Sequence, residues 1–300
     1  MEDSDLSVTT AIIIPVHNGL PQLRVSLPTL RWARGVEGLT VIVVDGGSTD
    51  GTAAYLAEEE GWVRVVRGGA SMWWAAATNA GCRHAAALGV SHLCLLNHDC
   101  EWDERSYREL AEAQARHPND IVCSRVVVRG RDRLLYAGGT IAWTGKLVIR
   151  GFMRDAAEAY PEGQVAWCGG MGVLFPTWLW QRLEGFDERA FPHYHADADF
   201  CLRARRLGSG VFFCPASTVV NDRASTGVSV PRSGATVRHL LASLTSRKSP
   251  FQLRETVRFY GRHARWRAPL ALSHLYGIHL GSSLKRIVRS AVEQRGGRDA

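Results

Sequence analysis

The sequence predicts an α/β fold: a mostly parallel sheet covered by helices over residues 1–230, followed by a basic helical region over 231–300. Three observations carry this expectation. Short β-branched runs alternate with helix-spaced segments, which implies crossover connections and parallel strands buried on both faces. The residues after each run are polar or acidic, as expected where an open parallel sheet presents its ligand-binding edge. Charge is also sharply divided: residues 231–300 hold 14 of the 36 Lys and Arg but only 3 of the 29 acids, a net of +11 against −4 for residues 1–230.

In chain order, AIIIPVHN (11–18) reads as the first strand, and Leu23, Leu27 and Leu30 give 20–32 a helical period. TVIVVD (40–45) is the second strand and GGSTDG its turn; an Ala/Glu-rich helix over 52–60 follows, with Ser48 or Asp50 as its N-cap. WVRVVR (62–67) is the third strand, and a helix over 74–88 leads to HLCLLN (92–97), the fourth. A further helix is expected near 103–114, and FPHYHADADFCLRARRLG joins an aromatic, His-rich loop to a helix that Gly208 ends.

Composition removes several classes. With 46% apolar and 22% charged residues the chain is neither disordered nor fibrous. The apolar stretch 268–284 is interrupted by Ser273, His274, His279, Ser282 and Ser283, so no bilayer-spanning helix is expected. MEDSDLSVTT lacks the basic region of a signal or transit peptide, which predicts a cytoplasmic chain. Seven cysteines without a CxxC pair predict reduced, buried thiols in place of a disulfide framework or zinc site.

The first strand runs into Pro15-Val16-His17-Asn18, not GxGxxG, and nothing matches a P-loop, so neither of those nucleotide folds is expected. The second strand ends at Asp45 and the fourth at Asn97-His98-Asp99, bringing two carboxylates to one sheet edge. Either acid alone also fits a turn or helix cap.

These segments, IIIPVHNGLPQLRVSLPTL, VIVVDGGSTDGT, ATNAG, LCLLNHDC, WCGGMGVLFPTWLWQRLEGFDE and HADADFCLRARRLG, occur in the order and spacing of glycosyltransferase family 2. The chain resembles that family's inverting, nucleotide-sugar-dependent members of GT-A fold, and among them the bacterial rhamnosyltransferases of cell-wall polysaccharide biosynthesis. The likeness covers about residues 10–225 and omits the basic C-terminal region.

The resemblance implies roles. Asp99 stands where the family's DxD-type motif puts its metal-contacting acid, with Asn97 and His98 at the first two positions; Mg²⁺ or Mn²⁺ is the implied cofactor. Asp45 resembles the acid that contacts the nucleotide base, with Pro15, Val16 and Asn18 as the pocket floor; Asn79 resembles the loop facing the nucleotide, and a plain buried polar residue is the alternative. Trp167, Gly169 and Gly170 resemble the segment that closes over donor sugar and acceptor, where glycines admit a pyranose and an indole suits its C–H face; a core Trp in a Gly-rich loop is the alternative. Asp197 matches the general base of the family's acidic pair, although its neighbour is Ala196. A helix N-terminus would weaken that base unless burial offsets it. Asp199 is assigned structural or metal-adjacent work, and His195 either touches sugar or acceptor or is a surface histidine. Where many relatives carry a metal-binding His, this chain offers Asn221 and Asp222.

The implied activity is transfer of a sugar, with dTDP-rhamnose the suggested donor, to a glycan or lipid-linked acceptor hydroxyl. Two alternatives stand beside it: an inactive nucleotide-sugar or carbohydrate-binding protein, suggested by Asn97, His98 and Ala196, and a sugar nucleotidyltransferase, which would want a more basic, Gly-rich first loop. No nucleic-acid module is present, so nucleic acid is not an expected partner. For the +11 tail the alternatives are amphipathic helices that hold the protein at an anionic, cytoplasmic membrane face, a solvated helical cap, and a homodimer that neutralises the charge.

Overall fold

The computed structural model describes residues 9–222, 230–231 and 233–296. Two compact units divide the chain: Met1–Thr140, Ile149–Glu188 and Ala196–Ala224 form the first, and Ile141–Val148, Arg189–His195 and Ser225–Ala300 the second.

The first unit is built on β1 (Thr10–Val16), β2 (Leu39–Asp45), β3 (Val63–Arg67) and β4 (His92–Leu95), the four strands the sequence predicts, each within two residues of its expected ends. To these it adds β5 (Cys100–Glu101), β6 (Ile121–Val128) and β7 (Leu134–Tyr136). A short hairpin pairs β8 (Gly139–Ile141) with β9 (Leu147–Ile149), and β10 (Gly163–Gln164), β11 (Val173–Pro176) and β12 (Val211–Asn221) complete the strands. The main sheet runs β10-β12-β6-β11-β4-β1-β2-β3, with β5 pairing β12 and β7 pairing β6. Strands β3, β2, β1 and β4 are parallel, and β11 is antiparallel to both β4 and β6. All seven residues of β1 are buried, and Ile12, Ile13, Ile42, Val43, Leu93 and Cys94 form the fully dry centre. All seven cysteines are free and buried.

Pro15 sits in this central strand without cost. The Ile13 carbonyl accepts from Leu96 on the β4 side, and two residues on the Pro15 nitrogen faces the same way, beyond the last β1–β4 pair, Ile13↔Leu95. Strand β1 continues with β2 as far as Val16↔Asp45, so the sheet is open between β1 and β4 at this edge.

The helices of this unit are α1 (Leu20–Ser26), α2 (Thr52–Glu58), α3 (Trp74–Ala87), α4 (Glu104–Arg116), α5 (Thr177–Arg182) and α6 (Ala196–Arg206). The helix expected over 20–32 is shorter. Pro28 has no N–H for an i−4 bond, and from Leu27 to Gly35 the chain tightens into a 3₁₀ segment. Of the two caps proposed for α2, Asp50 does the work from just outside the Gly51 N-cap position, accepting from the Thr52 amide at 3.1 Å and its hydroxyl at 2.6 Å.

The second unit is helical: α7 (Val237–Thr245), α8 (Leu253–His263) and the 29-residue α9 (Ala268–Gly296). Thr236 and His239 form a reciprocal capping box on α7, and Gln252 caps α8 through the Glu255 amide. Segments from earlier in the chain join these helices. Phe191 packs edge-on to Phe259 at 5.8 Å, Arg267 donates to the Ala142 carbonyl at 3.1 Å, and the Leu147 amide donates to the Tyr260 hydroxyl at 3.3 Å. Beneath α9, His279 stacks on Phe251 at 3.8 Å and hydrogen-bonds with Ser243 at 2.9 Å. Among the described residues no helix is long and apolar enough to cross a membrane.

Candidate active site

The sheet brings the ends of β1, β2 and β4 to one edge, and with them most of the predicted residues. Asp45 closes β2, buried, with one carboxylate oxygen accepting from the Ser48 amide at 2.9 Å. Beside it the Val16 carbonyl accepts from Gly46, and His17 Nδ1 lies 3.0 Å from the Gly46 carbonyl. Asn18 adopts a left-handed backbone (φ 51°); its amide donates to the Ser48 hydroxyl at 2.9 Å, and its side-chain oxygen accepts from the Thr49 amide at 2.8 Å. The Pro15–Asn18 and Asp45–Thr49 loops thus form one hydrogen-bonded rim. Asn18 is spent on building it.

Asp99 lies one strand away and is only 2% exposed. The alternative reading of this acid as the cap of α4 fails, because Asp103 is that cap, accepting from the Ser106 amide at 2.7 Å. The backbone carbonyl of Asp99 accepts from the Asp222 amide at 2.9 Å, which ties it to the end of β12. There Arg129 bridges Glu101 at 2.5 Å and Asp222 at 3.6 Å, and the Asn221 amide group donates to the Cys100 sulfur at 3.4 Å. Asn221 and Asp222, expected as substitutes for a metal-binding His, are therefore engaged in holding this corner. The His98 carbonyl accepts from Ser26, and its ring packs against Gly19.

Asn97 is linked to Trp74 at the start of α3. The Trp74 indole N–H donates to the Asn97 side-chain oxygen at 2.9 Å, and the same ring lies where a side chain on Gly170 would have to go: a Cβ there would stand 2.4 Å from it. Trp74 therefore joins the DxD-type segment to the Gly-rich loop. The available signal was the aromatic pair Trp73-Trp74, two residues before ATNAG.

Asp197 faces that loop. It occupies the first turn of α6, which the chain enters through a left-handed His195 (φ 68°). One carboxylate oxygen accepts from the Ala198 amide at 2.7 Å, and the other stands 3.4 Å from where a Gly169 Cβ would be. Burial among Leu95, Cys168, Phe186, Phe200 and neighbouring apolar side chains pushes the carboxyl up to about 6, although the Ala198 and Gly170 amides pull it down. The residue as a whole is half-buried, and its carboxyl is desolvated.

Three expected roles are corrected. Asn79 does not face a nucleotide: it is buried in α3, its amide group donates to the Phe186 carbonyl and Glu188 carboxylate at 2.8 Å each, and its oxygen accepts from Phe186 at 2.9 Å and Trp180 at 3.2 Å. Both donors and both acceptor sites are consumed in fixing the GFDE turn. Trp167 is 8% exposed, with its indole N–H on the Thr140 carbonyl at 3.2 Å and its ring beside Tyr136, so protein occupies the face a sugar would need. His195 places its Nε2 3.2 Å from the Thr256 hydroxyl and stacks on Phe259 at 4.8 Å, within the helical second unit. Asp199 is structural as expected. Wholly buried, it pairs with Arg203 at 2.7 Å, and that guanidinium also donates to the Leu183 and Gly185 carbonyls.

Among the described residues no three His, Cys, Asp or Glu side chains gather to hold a metal. A single carboxylate still suits Mg²⁺ or Mn²⁺ when substrate phosphates and water complete the shell, which is how such ions are commonly held.

Comparison with known proteins agrees with the geometry. The Glycosyl transferase family 2 profile matches residues 11–187, a segment that holds Asp45, Asn97–Asp99 and Gly169–Gly170. N-acetylglucosaminyl-diphospho-decaprenol L-rhamnosyltransferases of two Mycobacterium tuberculosis strains are 25% identical over 283 residues, 85% of either chain. Among solved structures the fold is similar to that of GalNAc-T7 with UDP, GalNAc and Mn²⁺ (TM-score 0.56, 14% identity, 92% of this chain and 58% of that one). It is also similar to S. aureus TarS (TM-score 0.55, 13% identity, 86% and 44%) and to the mannosyltransferase PcManGT of Pyrobaculum calidifontis with GDP-Man and Mn²⁺ (TM-score 0.51, 21% identity, 96% and 79%). The chain thus spans about half the length of the first two structures.

Proposed function

The chain belongs to glycosyltransferase family 2 and is a glycosyltransferase, and on that premise we propose that it inverts the anomeric centre of a nucleotide sugar, with Asp197 as general base. The single observation that carries this reading is the desolvated Asp197 carboxyl, raised to about 6, beside the Gly169–Gly170 backbone. An ordinary aspartate is too acidic to take a hydroxyl proton efficiently, and raising it toward the working pH improves proton transfer without leaving it protonated at neutrality.

In the proposed reaction Asp197 removes the proton from the acceptor hydroxyl as its oxygen bonds to the anomeric carbon, and the bond from that carbon to the diphosphate breaks on the opposite face. The rim of Val16, Asn18 and Asp45 would seat the nucleoside. Asn97, whose oxygen is turned to Trp74, would offer its amide N–H groups to the diphosphate. Asp99, together with the donor's phosphate oxygens, would hold Mg²⁺ or Mn²⁺, which supplies positive charge to the leaving group. A protein share of one carboxylate predicts that metal and nucleotide bind together.

The mycobacterial relative's name supports a rhamnosyl donor and a lipid-linked sugar diphosphate as acceptor; dTDP-rhamnose is the donor that the sequence resemblance suggests. The test is a thermal-shift screen of nucleotide sugars with Mn²⁺, since a ligand at about 100 times its Kd stabilises the native state by about 2.7 kcal/mol. Stabilisation by dTDP-rhamnose, and transfer giving the inverted anomer by NMR, is the expected result. A retained configuration defeats the mechanism, and a response only to UDP- or GDP-sugars defeats the donor assignment.

A further inference from the structure

Helix α9 has two unlike faces. Its inner face is small and polar: Ala271, His279, Ser283 and Ser290 are buried, with His279 bonded to Ser243 and the Ser290 hydroxyl accepting from the Ala235 amide. The outer face is the reverse of a soluble helix. Leu270, Ile278, Leu284, Val288 and Val292 are all exposed, the last four more than half so, and they recur at helical spacing over more than 20 residues. A side chain built on Gly277 or Gly281, between them, meets nothing within 4 Å. A contiguous exposed apolar strip rimmed by polar residues marks an interaction surface.

Charge identifies what covers it. Lys285 and Arg289 lie along one border of the strip, both exposed, Arg289 paired with Glu293 at 2.8 Å, and residues 231–300 carry a net charge of +11. A second copy of this chain would bring two such cationic surfaces together, whereas an anionic lipid surface complements the basic border and accepts the apolar strip at the same time. Since α9 is not apolar enough to cross a bilayer, the fitting arrangement is a helix lying in the membrane plane.

We propose that the outer face of α9 is an interfacial membrane anchor, with Ile278, Leu284, Val288 and Val292 entering the headgroup–acyl boundary and Lys285 and Arg289 pairing with anionic headgroups. This goes beyond the transfer reaction and does not depend on the donor or the base. It makes specific the membrane alternative that composition raised. The sequence pattern marked Trp266, Leu270, Leu275 and Ile278; the exposed strip instead runs from Leu270 past Leu284 to Val292, with Leu275 partly covered.

The test is co-sedimentation of the full chain with phosphatidylcholine vesicles, with and without about a third phosphatidylglycerol, alongside light-scattering mass. Binding to anionic vesicles, weakened by raising the ionic strength from about 0.1 to about 0.5 M, is expected. Ile278→Ser/Leu284→Ser/Val288→Ser should reduce it at least tenfold, and Lys285→Gln/Arg289→Gln by roughly fivefold per charge. All five positions are exposed, and an unchanged far-UV spectrum and melting temperature confirm that the variants fold. Nucleotide-sugar binding, measured in the same samples without vesicles, should be unaltered, so failure here is separable from failure of the catalytic reading. Absence of binding, equal binding to neutral vesicles, or a wild-type dimer that the triple Ser variant turns into a monomer without changing vesicle binding overturns the proposal; the last result would assign the strip to self-association.

Discussion

Replacing Asp197 with Asn should make the protein more stable while disabling it. The carboxyl is raised from 3.8 to about 6 by burial, so the folded state binds this proton more tightly than the unfolded chain does. For an acid shifted upward, the stabilising contribution is full below pH 3.8 and is lost as pH rises through about 6. At pH 7.5 the ionised carboxylate therefore costs the fold about 3 kcal/mol relative to its protonated form, at about 1.4 kcal/mol per pK unit. Asn removes that cost. Its oxygen still accepts from the Ala198 amide, but its NH₂ group cannot accept from Gly170, which returns about 1 kcal/mol. The net expectation is a gain of about 1–2 kcal/mol at pH 7.5, a rise of roughly 2–8 °C in melting temperature, and no gain at pH 4. Transfer should fall by about 10²–10⁴-fold with nucleotide affinity preserved, and wild-type kcat/KM should decline as pH drops below about 6. Paired urea melts at the two pH values, with rates on the same samples, decide the matter. A variant no more stable than wild type at pH 7.5, or one that transfers normally, refutes the idea of a desolvated base.

Other expectations are briefer. Asp99→Ala should lose Mn²⁺-dependent nucleotide binding by at least tenfold in calorimetry, because it is the one carboxylate expected at the diphosphate; full wild-type activity in EDTA would contradict this. Asn79→Ala should lower stability by about 2–4 kcal/mol in denaturant titration, since it strands the Phe186 amide and carbonyl and the Trp180 indole in the interior, yet leave nucleotide affinity of the folded protein intact. Gly170→Ala should displace Trp74 and so free Asn97, raising the donor KM at least tenfold in steady-state kinetics; an unchanged KM would show that Trp74 does not position the diphosphate segment.

What could be foreseen from the sequence divides along physical lines. Buried parallel strands announce themselves because both faces are dry: AIIIPV and the VIVV of TVIVVD have no polar position inside the run, and the strand ends lie within two residues of expectation. The Asp45 and Asp99 edge was legible for the same reason, since polar residues after such strands have few other places to be. Roles that depend on long-range packing were not legible. Whether Asn79 meets a ligand or the turn at Phe186 is decided by partners more than 100 residues away. Trp167 illustrates the same limit: an indole in a Gly-rich loop suits a sugar until Tyr136 and Thr140 claim it. Leu27 and Leu30 keep helical spacing through the 3₁₀ segment, so periodicity alone does not reveal the break that Pro28 imposes. The proposed role of Asp197 rests on the family motif; its raised proton affinity needed the surrounding Phe and Cys side chains to be placed.

The seven covered thiols make the molecule its own clock for opening. Burial pushes the Cys82 and Cys94 thiols well up and holds them protonated, so an alkylating reagent meets no thiolate until the chain around them parts. Cys168 and Cys201, 3.5 Å apart, belong to a different neighbourhood: one precedes Gly169 and the other lies one turn of α6 beyond Asp197. A reagent that tags this pair ahead of Cys82 and Cys94 would be timing the loop over Asp197, and the lag between the two sets would separate a breathing of the site from the loss of the sheet beneath it. No label or probe has to be engineered in, because the protein carries both hands of the watch.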